Sequence, residues 1–416
     1  MFKTCLLLFL WLLSGASLMY AQTPGEKFPE WSPGYLDLHH ISTGRGDAAF
    51  YVFPDGTTML FDAGEITDDG PAWRLPRYVS PRPDGSRTAG EWITRYIKRR
   101  LAGAEHPVID YGLLSHFHGD HMGSISSRSV DSEKGPYKLT GITYVGEHIP
   151  IKTMMDHGWP DYDYPFVQDA PEMVNYRNFL EWQTEHNELT AAAFLSGRHD
   201  QITLVHKRNQ YPTFRVQNIA ANGKVWTGVE QVARAHFPPL KDLKPEDYPT
   251  ENISSVAFRL SYGQFDYYSG GDLYGIPPLG APGWHDIETP VAQAVGPVEI
   301  ATLNHHGYVD SQNEYFVSTL RPRAWLVQVW DSAHPSPMVY QRLQSKYLYP
   351  GPRDIFSTHM HPSNKEVVVG LDELKSDGGH VVVRVAPGGA TYQIIIIDDS
   401  TEEDVVVAIH GPFESR

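Results

Sequence analysis

His116, His118, Asp120 and His121 fall within six residues, as His-Phe-His-Gly-Asp-His, and all four can ligate a metal. Imidazole nitrogen and carboxylate oxygen suit zinc, with manganese or iron as weaker matches. The run follows Tyr111-Gly112-Leu113-Leu114, an apolar segment that reads as a buried strand, so the ligands sit on the loop leaving its end. In an extended segment residues two apart point the same way, which lets His116 and His118 grip one ion. Asp120 and His121 lie one turn further on, where a helix should begin near Met122, and they can face a second ion. Two cations about 3.5–4 Å apart hold a hydroxide between them and lower the pKa of the bound water toward neutrality. They also clamp the attacking and leaving oxygens of a displacement. A set of ordinary surface or core histidines would not need this spacing.

Such a site needs a bridging carboxylate and further histidines. Two later segments supply them. Residues 256–262 and 265–268 read as the arms of a hairpin that ends at Ser269-Gly270-Gly271-Asp272, an aspartate presented by a glycine turn. Residues 298–303 read as another strand, ending in Asn304-His305-His306-Gly307. Alone, a Gly-Asp is a turn aspartate and a His-His a surface pair. In this order behind the first motif they make up a two-metal set.

Other short motifs point the same way: the turn Gly44-Arg45-Gly46-Asp47-Ala48, a strand ending in Asp62-Ala63-Gly64, and Glu251-Asn252-Ile253-Ser254-Ser255. Ser332-Ala333-His334-Pro335 follows near the end of the chain. With these the chain resembles the metallo-β-lactamase superfamily. The most similar branch holds the nuclease-like domains of ComEC-type competence proteins and the phosphorylcholine esterases. The resemblance implies an α/β protein, an αββα four-layer sandwich with two mixed sheets face to face and a dinuclear site at one edge. It assigns His116 and His118 to metal one, Asp120 and His121 to metal two, and Asp272 to the bridge, with two Zn2+ as cofactors (Mn2+ or Fe as alternatives). One of His305 and His306, with His306 favoured, would close the second shell of ligands. Asp47 and Asp62 would stand behind the ligands and orient imidazole N–H groups, as metal-bound histidines require.

The chain also departs from that pattern. Most of these hydrolases carry a further histidine before the bridging aspartate, and the stretch near Glu251-Asn252 has none. Metal one is then loosely held, or completed by Glu251 or by His305. Tyr308 stands where the branch often has serine. A phenol there can donate to a developing oxyanion or leaving group, or simply pack. Arg45 can pair with an anionic substrate or be a solvated loop arginine, and His334 is a further candidate for the site's edge.

Met1-Phe2-Lys3, an apolar core and a small-residue exit at Ala21 read as a secretory signal peptide, 1–21, too short for a membrane span. The expected location is secreted or periplasmic, in a bacterium, with no stable membrane insertion. The one cysteine, Cys5, lies in that segment, so no disulfide, thiol nucleophile or thiolate ligand is expected beyond it. Residues 22–416 are expected to form one hydrolase domain, interrupted by an insertion over about 126–249 that forms a lid or a small subdomain. Its aromatic run at 154–165 would wall a substrate pocket or make the insertion's own core. The 34 basic against 50 acidic residues give a charge of −16. Nucleic acid is therefore a poor partner, because affinity for it rests on neutralising phosphates. The basic strip from Arg95 to Arg100 lies on an amphipathic helix over 91–101 and reads as a solvated face.

The expected function is a secreted dinuclear zinc hydrolase acting on a phosphodiester or phosphoester, an anionic small-molecule or polymeric ester. Asp120 would orient the nucleophile and take up its proton. Hydrolysis of a lactone, amide or thioester on the same fold is the nearest alternative. A secreted binding protein that has lost catalysis is the other.

Overall fold

The computed structural model describes residues 22–67, 69 and 75–416, so the signal-peptide expectation lies outside the described residues. In chain order the strands are β1 (Leu36–His40), β2 (Ala48–Val52), β3 (Thr58–Ala63), β4 (Ile109–Leu113), β5 (Ile151–Asp156), β6 (Thr190–Ala193), β7 (Phe214–Ala221), β8 (Lys224–Trp226) and β9 (Ala233–Ala235). They continue as β10 (Ala257–Tyr262), β11 (Phe265–Ser269), β12 (Ile300–Thr302), β13 (Ala324–Val327), β14 (Asp354–Ser357), β15 (Ser376–Asp377), β16 (His380–Val385), β17 (Thr391–Ile397) and β18 (Val406–Glu414). The helices are α1 (Ala89–Leu101), α2 (Gly119–Met122), α3 (Gly141–His148), α4 (Pro171–His186), α5 (Glu288–Val295), α6 (Glu314–Leu320), α7 (Pro337–Gln344) and α8 (Pro362–Val367).

Alternation along the strands builds the layers. Met59 and Phe61 of β3 meet Phe258 and Leu260 of β10 and Tyr267 of β11 in one core between two sheets. Leu60, pointing the other way, packs with Ile93 and Ile97 of α1 and Val145 of α3. On the far side, Tyr268 and Trp325 meet Val291 of α5, Phe316 of α6 and Leu343 of α7. Because both faces of each sheet are covered, β3, β4, β12 and β13 are buried at every residue. The result is the αββα sandwich that the resemblance implied.

Each sheet has nine strands, in the orders β18-β17-β16-β1-β2-β3-β4-β5-β6 and β15-β14-β13-β12-β11-β10-β7-β8-β9. Both sheets are mixed. β3 to β6 run parallel in the first, and β11 to β15 in the second. Parallel strands leave their carboxyl ends on one edge, and that edge is where ligands gather in such sheets. The ends of β3, β4, β11 and β12 carry Asp62, the His116 motif, Asp272 and the His305-His306 turn.

Two expectations change. The segment 126–249 is not a separate body: β5 and β6 extend the first sheet, and β7, β8 and β9 extend the second. Tyr162 and Tyr176 of the aromatic region join Phe117 in the core under α1 and α3, because the uncovered face of β4 and β5 needs apolar cover. The strip on α1 is also not a purely solvated face. Arg95, Arg99 and Arg100 pair with Glu402 and Asp404 of the C-terminal hairpin. The hairpin expected from residues 256–262 and 265–268 is β10–β11, and β7–β8 and β16–β17 form two more.

Candidate metal centre

The loop after β4 is held in place by backbone bonds from several directions. Ser115 N–H donates to Asp62 Oδ1 at 2.7 Å, and Val256 N–H donates to Ser115 O at 2.9 Å, tying the second sheet to the first. Asp47 N–H donates to Asp120 O at 2.8 Å. That close approach needs Gly64, where an added Cβ would fall 1.8 Å from Asp120 O. The helix begins at Gly119, earlier than expected, and lasts a single turn to Met122, so Asp120 and His121 lie inside it. His305 N–H donates to Gly271 O at 3.0 Å, joining the two later motifs.

His305 and His306 both adopt left-handed backbone, with φ of 46° and 50°. Such a conformation costs about 1–2 kcal/mol per residue and persists only where the surroundings impose it. Asn304 is the anchor. Its side chain accepts from Tyr268 Oη at 3.0 Å and donates to Glu288 Oε1 at 2.8 Å. Glu288 also accepts the N–H groups of Gln312 and Asn313 at 2.8 and 2.7 Å. Burial pushes the Glu288 carboxyl up to about 8, against those donors.

Two groups of donor atoms result, each lying within 4.8 Å of one another: Asp120, His121, Asp272 and His306, and His116, His118 and Asp272. Asp272 belongs to both and splits its oxygens between them. Oδ1 lies 3.1 Å from His121 Nε2 and 3.5 Å from His306 Nε2. Oδ2 lies 3.7 Å from His116 Nε2 and 3.7 Å from His305 Nε2. Within the first group His306 Nε2 is 3.1 Å from Asp120 Oδ2 and 3.3 Å from His121 Nε2. In the second, His116 Nε2 is 3.1 Å from His118 Nδ1.

Behind the rings stand polar partners. His121 Nδ1 donates to Asp62 Oδ2 at 2.8 Å, and His305 Nδ1 donates to Asp310 Oδ1 at 2.7 Å. His306 Nδ1 is 2.9 Å from Asp47 Oδ1, an ion-pair distance without hydrogen-bond geometry. His116 Nδ1 has the Ser115 hydroxyl at 3.0 Å. With Nδ1 engaged outward, Nε2 of each of these rings is directed at the shared carboxylate, the arrangement that fixes a metal-binding tautomer. Asp272 Oδ1 is buried and makes no hydrogen bond.

The electrostatics favour a cation. Burial opposes charge on His121, yet Asp272, Asp120 and Asp62 outweigh it and hold the imidazole well above its ordinary value. His306 is raised likewise, against burial, by Asp47 and Asp272. Asp120 and Asp272 are lowered, against burial, with His121 the largest cause in each case. His116 goes the other way, pushed well down by burial and then by His121. Carboxylates packed this densely among imidazoles in a buried pocket need positive charge, and N/O donors at these spacings fit divalent cations.

The remaining expected residues fall around this cluster. Arg45 lies in the adjoining turn, where its guanidinium donates to the carbonyls of Gly44 and Val79 at 2.7 and 2.6 Å. Tyr308 is exposed, its ring 5.1 Å from that of His305. His334 stacks on His306 at 4.6 Å, and burial followed by His306 holds its pKa well down. Glu251 is not among the grouped donors and faces Phe117 N–H and His157 instead.

No role at the site was legible in the sequence for Ser115, Asn252, His157, Glu288 or Asp310. Asp310, five residues past His305 on the same loop, carried the one usable local signal. Asn252 Nδ2 reaches to 3.2 Å from His305 Nε2.

No protein-family profile and no curated protein sequence matches the chain. Among solved structures it is similar to a protein described as a metal-dependent hydrolase from Parabacteroides distasonis. The TM-score is 0.36 at 11% identity, covering 80% of this chain and 97% of that one. It is also similar to CmlA, a diiron β-hydroxylase from Streptomyces venezuelae, with a TM-score of 0.38 at 12% identity over 86% of this chain and 55% of that one. A CmlA variant gives 0.38 and 12%, over 78% and 53%. The chain thus spans about half the length of CmlA. The chemistry of the site rests on its own donors.

Proposed function

We propose that the chain is a metal-dependent hydrolase of the metallo-β-lactamase fold, holding two zinc ions and cleaving a phosphodiester or phosphoester. The observation that carries this reading is the division of Asp272, one oxygen toward His121 and His306 and the other toward His116 and His305. A carboxylate shared in this way suits a pair of cations. When bound, such a pair lowers the pKa of a water and polarises the oxygen of the scissile group.

Metal one would be held by His116, His118, Asp272 and His305, and metal two by Asp120, His121, Asp272 and His306. His305 in this scheme takes the place left open by the missing earlier histidine, since both oxygens of Glu251 are occupied elsewhere. The Asp120 side chain keeps 13% exposure, against 0–2% for its three partners. It can therefore reach the opening, orient the attacking water and accept its proton. Tyr308 at the rim donates to the leaving oxygen. Asp47 and Asp62 fix His306 and His121, and His334 backs the ring of His306. With Arg45 held by backbone carbonyls, its part is to shape the turn that carries Asp47.

The substrate is an anionic ester, and nucleic acid is disfavoured by the charge of −16. The N-terminal segment directs export to the periplasm or beyond. Among the described residues no helix is long and apolar enough to cross a membrane.

The test is a panel of chromogenic phosphodiesters, phosphomonoesters, lactones and a β-lactam, assayed with zinc on wild type and on Asp120→Ala. Phosphodiester turnover that is lost on chelation and lost in Asp120→Ala is the expected result. Turnover surviving that substitution refutes the mechanism. Lactone turnover alone moves the substrate to a carbonyl ester.

A further inference from the structure

Phe117 lies between two histidines that face the cluster, so the alternation of an extended chain sends its own side chain the other way. There its ring rests against His157, with centroids 4.4 Å apart and planes at 33°. Its backbone N–H donates to Glu251 Oε1 at 2.8 Å. The same oxygen accepts from His157 Nε2 at 2.8 Å, and Glu251 Oε2 accepts from Gln168 at 3.3 Å. One residue of the ligand loop is thus gripped through both its ring and its amide.

The grip is itself braced. His157 follows directly on β5, and the turn presenting it is pinned by Asp156. Its Oδ1 accepts the N–H groups of Gly158 and Trp159 at 2.8 Å, and its Oδ2 the hydroxyls of Tyr162 and Tyr176 at 2.9 Å. Asn222 Nδ2 donates to the His157 carbonyl at 2.6 Å. Against burial, Glu251 raises the pKa of the His157 imidazole and His157 lowers that of the Glu251 carboxyl. A buried ion pair adds little net stability over an apolar pair of the same shape. Its placement against a ligand loop therefore calls for another explanation.

We propose that Glu251 and His157 are positioning residues. By fixing the Phe117 amide they set the aim of His116 and His118, and so tune the metal-one half of the cluster separately from the Asp120 half. His116 and His118 share the backbone of Phe117, so a small displacement of that amide turns both imidazoles together. The Asp120 half hangs on Asp62 and Asp47, which touch neither Glu251 nor His157 in any hydrogen bond or ion pair described above; its link to the other half runs through Ser115, on the far side of His116 from the Phe117 amide. This inference rests on the proposed cation pair.

The experiment is a zinc titration of the metal-free full chain in competition with a chromophoric chelator, resolving two binding steps. Wild type, Glu251→Gln, Glu251→Ala, His157→Phe and His118→Ala are compared. The step that His118→Ala abolishes identifies the metal-one half. Glu251→Ala should weaken that step by about 10–100-fold and leave the other within about threefold. Glu251→Gln keeps an oxygen for the Phe117 N–H and should recover much of the loss. His157→Phe keeps the ring contact and should fall between the two. If Glu251→Ala does not fold, His157→Phe carries the same comparison. Parallel weakening of both steps, or no change in either, overturns the inference alone. A wild-type chain that takes up no zinc overturns the cation reading and this inference with it.

Discussion

The two halves of the donor cluster share the Asp272 carboxylate and the Ser115 hydroxyl, and they differ in exposure and in what else stands behind their rings. His121 and His306 are buried, and each has an aspartate behind its ring, Asp62 and Asp47. On the other side only His305 has an aspartate behind it, Asp310; His118 is exposed, and behind His116 stands the Ser115 hydroxyl, which also lies 3.1 Å from His121 Nδ1. A carboxylate behind an imidazole makes the ring a more basic and better-fixed ligand than a hydroxyl does. For the proposed cation pair, this makes the position beside Asp120 the more enclosed and the position beside His118 the more open.

The comparison can be broken at its shared member. Asp272→Ala removes a ligand from both halves and leaves five imidazoles and Asp120 without the carboxylate between them. Bound metal should fall from about two per chain to below one by elemental analysis, and activity by more than the about 100-fold typical of a residue behind a ligand. Next in size is Asp62→Ala, which strips the acceptor from His121 Nδ1. Zinc affinity of the Asp120 half should drop by about 10–100-fold in the same chelator titration, and the other step by less, through the Ser115 N–H that Asp62 also accepts. His118→Ala should do the reverse, removing the weaker step while the tighter one stays. If His118→Ala instead abolishes both steps, the halves are not separable and the comparison fails.

The smallest effect concerns the turn that serves both halves. The folded-state pKa of Glu288, about 8, lies above its ordinary 4.5, so the folded chain binds that proton more tightly than the unfolded one. Its contribution to stability is full below pH 4.5 and is lost as pH rises through 8. Urea midpoints of the metal-free chain should therefore decline across that window, and Glu288→Gln should flatten the decline. An identical slope in the variant would show that another group sets it.

Much of the architecture could be read in advance because it depends on local pattern. The strand before His116, the hairpin before Asp272 and the strand before His305 are short apolar runs ended by glycine or polar residues. They fold as β4, β10–β11 and β12. The helix carrying Trp92 and Tyr96 follows from its 3.6-residue spacing, although it starts at Ala89 behind a Thr88 cap, two residues before the expected 91. The segment 126–249 misled because its strands are short and its loops aromatic. Nothing local shows that β5 and β6 complete one sheet while β7 to β9 complete the other. Glu251 misled in a similar way: a carboxylate near the expected ligand position looks like a ligand until His157, 94 residues earlier, is found to occupy it.

What the chain by itself determined is the kind of chemistry: imidazoles and carboxylates at strand ends, with no thiol beyond residue 21 and a net charge of −16. Those follow from side-chain chemistry and from the two-residue period of a strand, both of which are local. Only the tertiary structure decided which oxygen of Asp272 faces which histidines, that His305 sides with His116 while His306 sides with His121, and which carboxylates stand behind the rings. Those contacts join the ends of strands in two different sheets. They exist only once the sheets have stacked and brought their carboxyl edges together.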